Sequence, residues 1–177
     1  RRLKQLNAEG VLGPLQYIYS NRLNLGKFRT EENIWWSFAP HDVSMILGLV
    51  GDMPNAVMAM GAKYLMHTVA DVTTTHLTFP KGQQAHIFVS WLHPYKEQKL
   101  VVVGEKAMAI FDDSLPWDSK LKLHPYPVEW VDGLPKPAQS LAQAIPLAPS
   151  EPLKEEAMHF LDCILEGRQP LTDGEES

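Results

Sequence analysis

Cysteine is nearly missing from this sequence: Cys163 is the single one in 177 residues. That excludes an internal disulfide and any thiolate cluster for a metal, and it fits a reducing compartment. No apolar run approaches the roughly 20 residues that cross a bilayer, and no signal-peptide pattern is read at Arg1. A cytoplasmic protein without a membrane partner is expected. Basic excess is lacking too. Lys and Arg number 16 against 21 Asp and Glu, a formal charge of -5, which argues against a protein that tracks phosphates along nucleic acid. No glycine-rich phosphate loop occurs, since Gly10 to Gly13 follow one helix and Gly48 to Gly51 end another. Nor is there a His-x-His or Cys pair that would mark zinc. His76, His86 and His93 read as strand histidines facing solvent, and no metal is expected.

What is present is an ordinary globular composition, 45% apolar and 21% charged, enough for one domain with one core. Leu3, Leu6 and Leu12 with Gly10 and Gly13 predict a helix end, a glycine stop and a tight entry into a strand over Leu15 to Leu25. Residues 28–38 read as irregular. A short helix is expected after Pro40, with Val43, Ile46, Leu47 and Val50 on its buried face and Gly51 at its end. Strands are predicted over Ala56 to Met66, Val69 to Phe79, Ala85 to Leu92, Lys99 to Val103 and Met108 to Phe111. The first two form an antiparallel pair. Pro80 to Gln83 is a turn, and Val103 to Ala107 a hairpin. The proline-rich segment from Ser114 to Pro149 holds an edge strand at Leu121 to Pro127 and another near Leu141 to Ile145. A last helix starts from Ser150 and Pro152, buries Leu153, Ala157, Phe160, Leu161, Ile164 and Leu165, and stops at Gly167.

The sum is an α+β fold, a predominantly antiparallel, open-faced sheet of five to seven strands with helices on one face. The other face places some of Val89, Trp91, Val101, Val103, Met108 and Ile110 outward. An apolar patch of that size calls for a partner, so a homo-oligomer built through the open sheet face is expected.

Chemistry concentrates between Ser20 and Gly51, which holds Arg22, Asn24, Arg29, Glu31, Trp35, Trp36, His41 and Asp42 beside a strand end and a helix start. Removing a hydride from an alcohol requires a group to accept the hydroxyl proton, and imidazole suits that role near neutrality. If His41 opens a helix, the positive helix end keeps its ring neutral. The residues alone leave a packing or capping histidine equally open. Asp42 in a first helical turn is explained by the helix dipole alone. Arg22 and Arg29 are candidates to clamp a phosphate or carboxylate, or else to pair with Glu31 and Glu32. One of Trp35 and Trp36 reads as core, and the other could stack on a sugar or cover the sheet.

Several stretches resemble the C-terminal domain of the Gfo/Idh/MocA oxidoreductases. They are LKQLNAEGVLGPLQYI (Leu3 to Ile18), the histidine and apolar helix at His41 to Gly51, HIFVSWLHPYKEQKLVVVGEKAMAIFDD (His86 to Asp113) and EPLKEEAMHFLDCILEGRQPLTDG (Glu151 to Gly174). SNRLNLGKFRTEENIWWSFAPHD (Ser20 to Asp42) most resembles members that oxidise UDP-linked amino sugars in bacterial polysaccharide synthesis. The resemblance implies an open-sheet domain related to the C-terminal domain of glyceraldehyde-3-phosphate dehydrogenase. It implies NAD or NADP in the full-length protein, with His41 catalytic and Arg22, Asn24, Arg29, Trp36 and Asp42 available for a sugar or nucleotide-sugar substrate. The dinucleotide loop and a Glu-Lys-Pro lysine belong to an N-terminal Rossmann domain not present in residues 1–177, so this segment is expected to be an inactive fragment that binds no dinucleotide. The sequence departs from the family's Asp-x-Gly-x-His, with Ser37 for the aspartate and Ala39 for the glycine. An acidic helper must then be Asp42 or be missing, which keeps a non-catalytic ligand-binding or assembly module as the alternative.

Overall fold

The computed structural model describes residues 1–125, 128–137 and 141–171. In chain order the elements are α1 (Arg2–Ala8), β1 (Leu15–Leu23), α2 (Ile34–Val50), β2 (Ala56–Ala62), β3 (Val72–Thr78), β4 (Gln84–Ser90), β5 (Glu97–Gly104) and β6 (Ala107–Asp112). Then come β7 (Leu121–Pro125), β8 (Val128–Val131), β9 (Leu134–Pro137), β10 (Gln143–Ala144) and α3 (Pro152–Glu166). Two compact units result, residues 1–147 and 148–177.

The first unit is an eight-stranded sheet in the order β10-β7-β6-β5-β1-β4-β3-β2, with β8 and β9 as a separate hairpin. The sheet is thus larger than the five to seven strands expected, and the β8–β9 hairpin was not foreseen in its proline-rich surroundings. Every neighbour pair is antiparallel except β1 with β4. That parallel pair requires a long crossover, which α2, β2 and β3 supply. The predicted turn at Pro80–Gln83 forms, with Gly82 at φ 88° and Phe79 N–H donating to the Gln83 carbonyl at 2.9 Å. The edge strand expected to reach Pro127 ends at Pro125, and residues 126–127 lie outside the described residues.

Alternation along the strands sorts the sheet into two faces. Ile18, Ser20, Leu77, Ala85, Ile87, Val89, Leu100, Val102 and Ala109 are buried on the side that receives α2. From α2 come Ile34, Ala39, Ile46 and Leu49, each nearly or fully buried. Each of the three larger side chains, Ile34, Ile46 and Leu49, contributes roughly 1.5–3 kcal/mol of apolar transfer energy. Val89 and Trp91 therefore belong to the core rather than to the outer surface. Val101 and Val103 do lie on the outer face, opposite Tyr19 and Tyr17, yet both are buried. Met108 and Ile110 are half-buried beside them. Charges also occupy this face, with Lys99 3.9 Å from both Glu97 and Asp112. His86 stacks on Tyr19 with ring centroids 5.3 Å apart and pairs in register with His76. Partial burial, followed by the charge of His76, holds His86 below its usual pKa.

Residues 148–177 form the second unit. Its α3 begins from Glu151 rather than Ser150 and ends at Gly167, φ 64°. Of the stripe expected to be buried, Leu153, Phe160, Leu161, Ile164 and Leu165 are all at least half exposed, while Cys163 is buried. Among the described residues no helix is long and apolar enough to cross a membrane.

Two positions show how tightly the first unit closes. At the end of β5, a Cβ on Gly104 would collide with the carbonyl oxygen of Leu12, the same oxygen that accepts from Lys106 N–H at 2.9 Å. Gly104→Ala is expected to cost about 1–3 kcal/mol through overpacking, read as a lower urea midpoint at unchanged slope. Asp71, fully buried between β2 and β3, accepts backbone N–H groups from Tyr64, Leu65 and Met66 at 2.6–3.1 Å. Burial alone would raise its pKa, but these hydrogen bonds outweigh it and hold the carboxyl below the ordinary value. A lowered folded pKa means the stabilisation is complete above the unfolded value, about 3.9, and disappears as pH falls through the folded one. Urea midpoints measured below pH 5 should therefore fall more steeply for the parent protein than for Asp71→Asn. Equal slopes would place the acid sensitivity elsewhere.

Candidate functional site

The helix that carries His41 starts earlier than its sequence suggests. Asn33 caps α2, its side chain accepting from Trp36 N–H at 3.2 Å, and Pro40 lies inside the helix instead of opening it. Proline in a helix interior removes one hydrogen bond and usually costs about 3 kcal/mol. The helix persists because apolar residues on both sides of Pro40 are buried on the sheet, Ile34 and Ala39 before it and Ile46 and Leu47 after it. This placement corrects the argument from the helix dipole, which fades beyond the first turn. His41 is the eighth residue of the helix. It is exposed, and among the described residues nothing hydrogen-bonds it. With 3.6 residues per turn, Trp36, Ser37, Pro40 and His41 share the outward arc, and all four are exposed or half-exposed.

Asp42 faces the other way. Its side chain is 2% exposed and meets Arg22 of β1, with Nε to Oδ2 at 2.8 Å and Nη2 to Oδ1 at 3.2 Å. The hydroxyl of Ser20 donates to Oδ1 at 2.6 Å. Asp42 therefore does not lie in a first helical turn, and its carboxylate is turned to Arg22 and Ser20 rather than to the exposed arc of His41. Arg22, paired here rather than with Glu31 or Glu32, is equally committed, its side chain 16% exposed. Sequence reasoning placed both residues near the site without detecting that they satisfy each other. The signal was available in principle, since a buried acid needs a buried partner.

The loop from residue 24 to residue 33 holds a second connected set. Arg29 Nη1 lies 2.8 Å from Glu32 Oε1, and the Ser37 hydroxyl donates to the same oxygen at 2.7 Å. Glu32 is thus the partner that the sequence offered for Arg29, and it also reaches Ser37 five residues later, a contact that no spacing announced. Asn24 donates its backbone N–H to the Ser90 carbonyl at 3.1 Å, and its amide lies against Gly26, where a Cβ would meet Nδ2 at 2.7 Å.

Trp35 and Trp36 divide as expected. Trp35 is half-buried and donates its indole N–H to Thr75 Oγ1 at 2.7 Å. Trp36 is 64% exposed and meets Trp35 edge to face at 5.2 Å. Together with Asn33, Ala59, Gly61 and Thr73 they line an open cleft of about 280 Å³. Thr73 Oγ1 is buried at its wall without a hydrogen-bond partner. An aromatic surface beside a few polar groups is the usual makeup of a small-molecule site. A dinucleotide fits this chain poorly. Its pyrophosphate needs a glycine-rich turn at a helix N-terminus, whereas α2 opens with Glu31, Glu32 and an Asn33 side chain already capping it, and α3 opens at Glu151–Pro152.

Comparison with known proteins sets this geometry in context. The profile of the GFO/IDH/MocA C-terminal domain matches residues 1–110. No curated protein sequence matches the chain. Among solved structures, UDP-N-acetylglucosamine 3-dehydrogenase from Acidithiobacillus ferrooxidans superposes with a TM-score of 0.78 at 23% identity, over 97% of this chain and 53% of that one. Aldose-aldose oxidoreductase from Caulobacter crescentus gives 0.75 at 19% identity, over 98% and 52%. Levoglucosan dehydrogenase in complex with NADH gives 0.73 at 14%, over 98% and 55%. The chain therefore spans about half the length of these structures, and at such identities the likeness is one of fold.

The Arg22–Asp42 pair generates a stability test. Asp42→Ala leaves the guanidinium buried without its counter-charge, which is expected to cost about 3–5 kcal/mol. Arg22→Met with Asp42→Leu should recover much of that loss by filling the same space with apolar side chains. A loss below about 1 kcal/mol for Asp42→Ala in urea titration would show that water reaches the pair.

Proposed function

This chain belongs to the GFO/IDH/MocA C-terminal domain family, and we propose that it is the substrate-binding domain of an NAD(P)-dependent oxidoreductase acting on a sugar or nucleotide-sugar hydroxyl. The carrying observation is the exposed arc of α2, where His41 stands free with Trp36 and Ser37 on the same side. The hydroxyl being oxidised must lose a proton as well as a hydride. His41, exposed and unengaged by described neighbours, is the group on this arc that can accept it. Trp36 and the cleft beside it suit the apolar face of a sugar ring, and the unpaired Thr73 hydroxyl and Asn33 amide are polar groups at the same place. Arg29, on the surface loop and 56% exposed, is the cation available to a nucleotide phosphate. Arg22 is not, being held by Asp42.

In this reading NAD or NADP would be held by a separate Rossmann domain of the full-length protein and would supply the hydride chemistry. The chain's own part is to bind, orient and deprotonate the substrate, and to self-associate. The alternative is a non-catalytic ligand-binding or assembly module. It is favoured by one observation, that the carboxylate next to His41 in sequence is locked into the core. Kinetics of the full-length protein separate the two. His41→Ala should lower turnover by roughly 10²–10⁴-fold with the circular dichroism spectrum unchanged. Turnover within a few-fold of the parent would leave His41 without a chemical role and favour the second reading.

A further inference from the structure

Two positions at the cleft beside Trp36 carry a cost that the fold alone does not explain. Thr73 of β3 is 7% exposed, and its Oγ1 is buried without a hydrogen-bond partner. Its cross-strand neighbours cannot answer it, being Gly61 on β2 and Val89 on β4. The polar groups around it are engaged elsewhere. Trp35 gives its indole N–H to Thr75 Oγ1 at 2.7 Å, and the Asn33 side-chain oxygen accepts from Trp36 N–H at 3.2 Å. A buried hydroxyl in this condition is destabilising. Valine has the same outline, is as well suited to a strand and brings no such group.

Gly61 is the second position. It lies inside β2, directly opposite Thr73, and its φ is not one that calls for glycine. Glycine within a strand weakens it and often marks a place where something approaches closely. A Cβ at this position would crowd Ala70 Cβ at 3.1 Å and meet Thr73 Cγ2 at 3.5 Å. Any side chain here would therefore stand over Thr73 and shut it off from the cleft. The residues that line the cleft carry no charge, so its occupant is neutral where it touches them.

We propose that Thr73 is a specificity residue which, with Asn33 Nδ2, binds one hydroxyl of the sugar, different from the hydroxyl that faces His41. This rests on the reading of the chain as the substrate-binding domain of a sugar dehydrogenase and names a contact within that site. In the free chain Thr73 sets its methyl Cγ2 beneath Gly61 while Oγ1 is enclosed. Rotation about χ1 from one staggered well to another exchanges the two and brings Oγ1 to the cleft. A sugar hydroxyl suits it, since each can donate to or accept from the other. Asn33 Nδ2, without a partner among the described residues, donates to the same oxygen. His41 lies five residues beyond Trp36 on α2, about 7.5 Å of helix rise, within the span of a hexose and its substituents. A hydroxyl unsatisfied in the free protein and satisfied by substrate contributes to binding and not to stability.

The full-length protein tests this contact, through initial rates with NAD or NADP over a panel of free and UDP-linked hexoses. On the sugar that is turned over, Thr73→Val should raise KM about ten-fold, as for one ordinary hydrogen bond, and leave kcat within about two-fold. Its urea midpoint should equal or exceed that of the parent, because an unsatisfied group has been removed. Thr73→Ser should keep the parent KM. One monodeoxy analogue of that sugar should show the same rise with the parent enzyme, and no further rise with Thr73→Val. An unchanged KM would overturn the proposal and leave the dehydrogenase reading standing. A lowered midpoint beside it would assign the hydroxyl to a contact inside the protein. A parent that oxidised no sugar of the panel would remove that reading and this contact together.

Discussion

Asp42 joins two elements that sequence separates. It lies midway along α2 and is answered from β1, the strand at the centre of the sheet, by Arg22 and Ser20. A carboxylate 2% exposed has few tolerable positions, since turning it away from Arg22 would leave a buried charge without its guanidinium. The pair therefore fixes both the rotation of α2 about its axis and its position along β1. Buried ion pairs add little net stability but do select one geometry, because an alternative leaves a charge unanswered. His41 lies about 100° from Asp42 around the helix, on the side that carries Pro40 and is exposed, whereas Val43, as far round the other way, packs against the core.

The same constraint explains how the loop before α2 is organised. Arg29, Glu32 and Ser37 form a chain of polar contacts that ties the loop to the outward arc of the helix, one turn before His41. Asn33 caps the helix at its own backbone, and Trp35 is pinned to β3 through Thr75. Trp36 is consequently the large side chain left without a core to enter, and it forms the wall of the cleft. An exposed tryptophan on a well-anchored helix start is a rigid surface, which costs little conformational entropy when a ring binds to it.

Much of this architecture was legible in the sequence because short strands with period-two burial and sharp glycine turns announce themselves locally. The β3–β4 turn at Gly82 and the β5–β6 hairpin after Gly104 are of that kind. Two features were not. Pro40 read as a helix start, since proline prefers the first turn, and only the burial of Ile34 and Ala39 by a distant sheet shows that the helix continues back through it. The stripe of α3 read as buried, but periodicity reports an apolar face without saying what meets it. At the site, residue types and their neighbourhood were readable, whereas pairing was not. Whether Arg22 answers Asp42 or Glu32 depends on which strand face it occupies, and that is set by register rather than spacing.

The position of β1 carries a consequence for how the chain reaches this state. β1 precedes both of its neighbours, β4 and β5, by some sixty to ninety residues. Until Gly104 has been added, the central strand has no complete pairing and its buried side chains have no partners. Topologies dominated by such distant pairings fold slowly, because loop closure must be met before contacts reward it. During synthesis the segment from β1 to β5 must therefore wait as a loosely held stretch, with α2 and the β2–β3–β4 meander the parts able to form from local contacts. Assembly of the sheet is then a late event that commits helix, strand and site together.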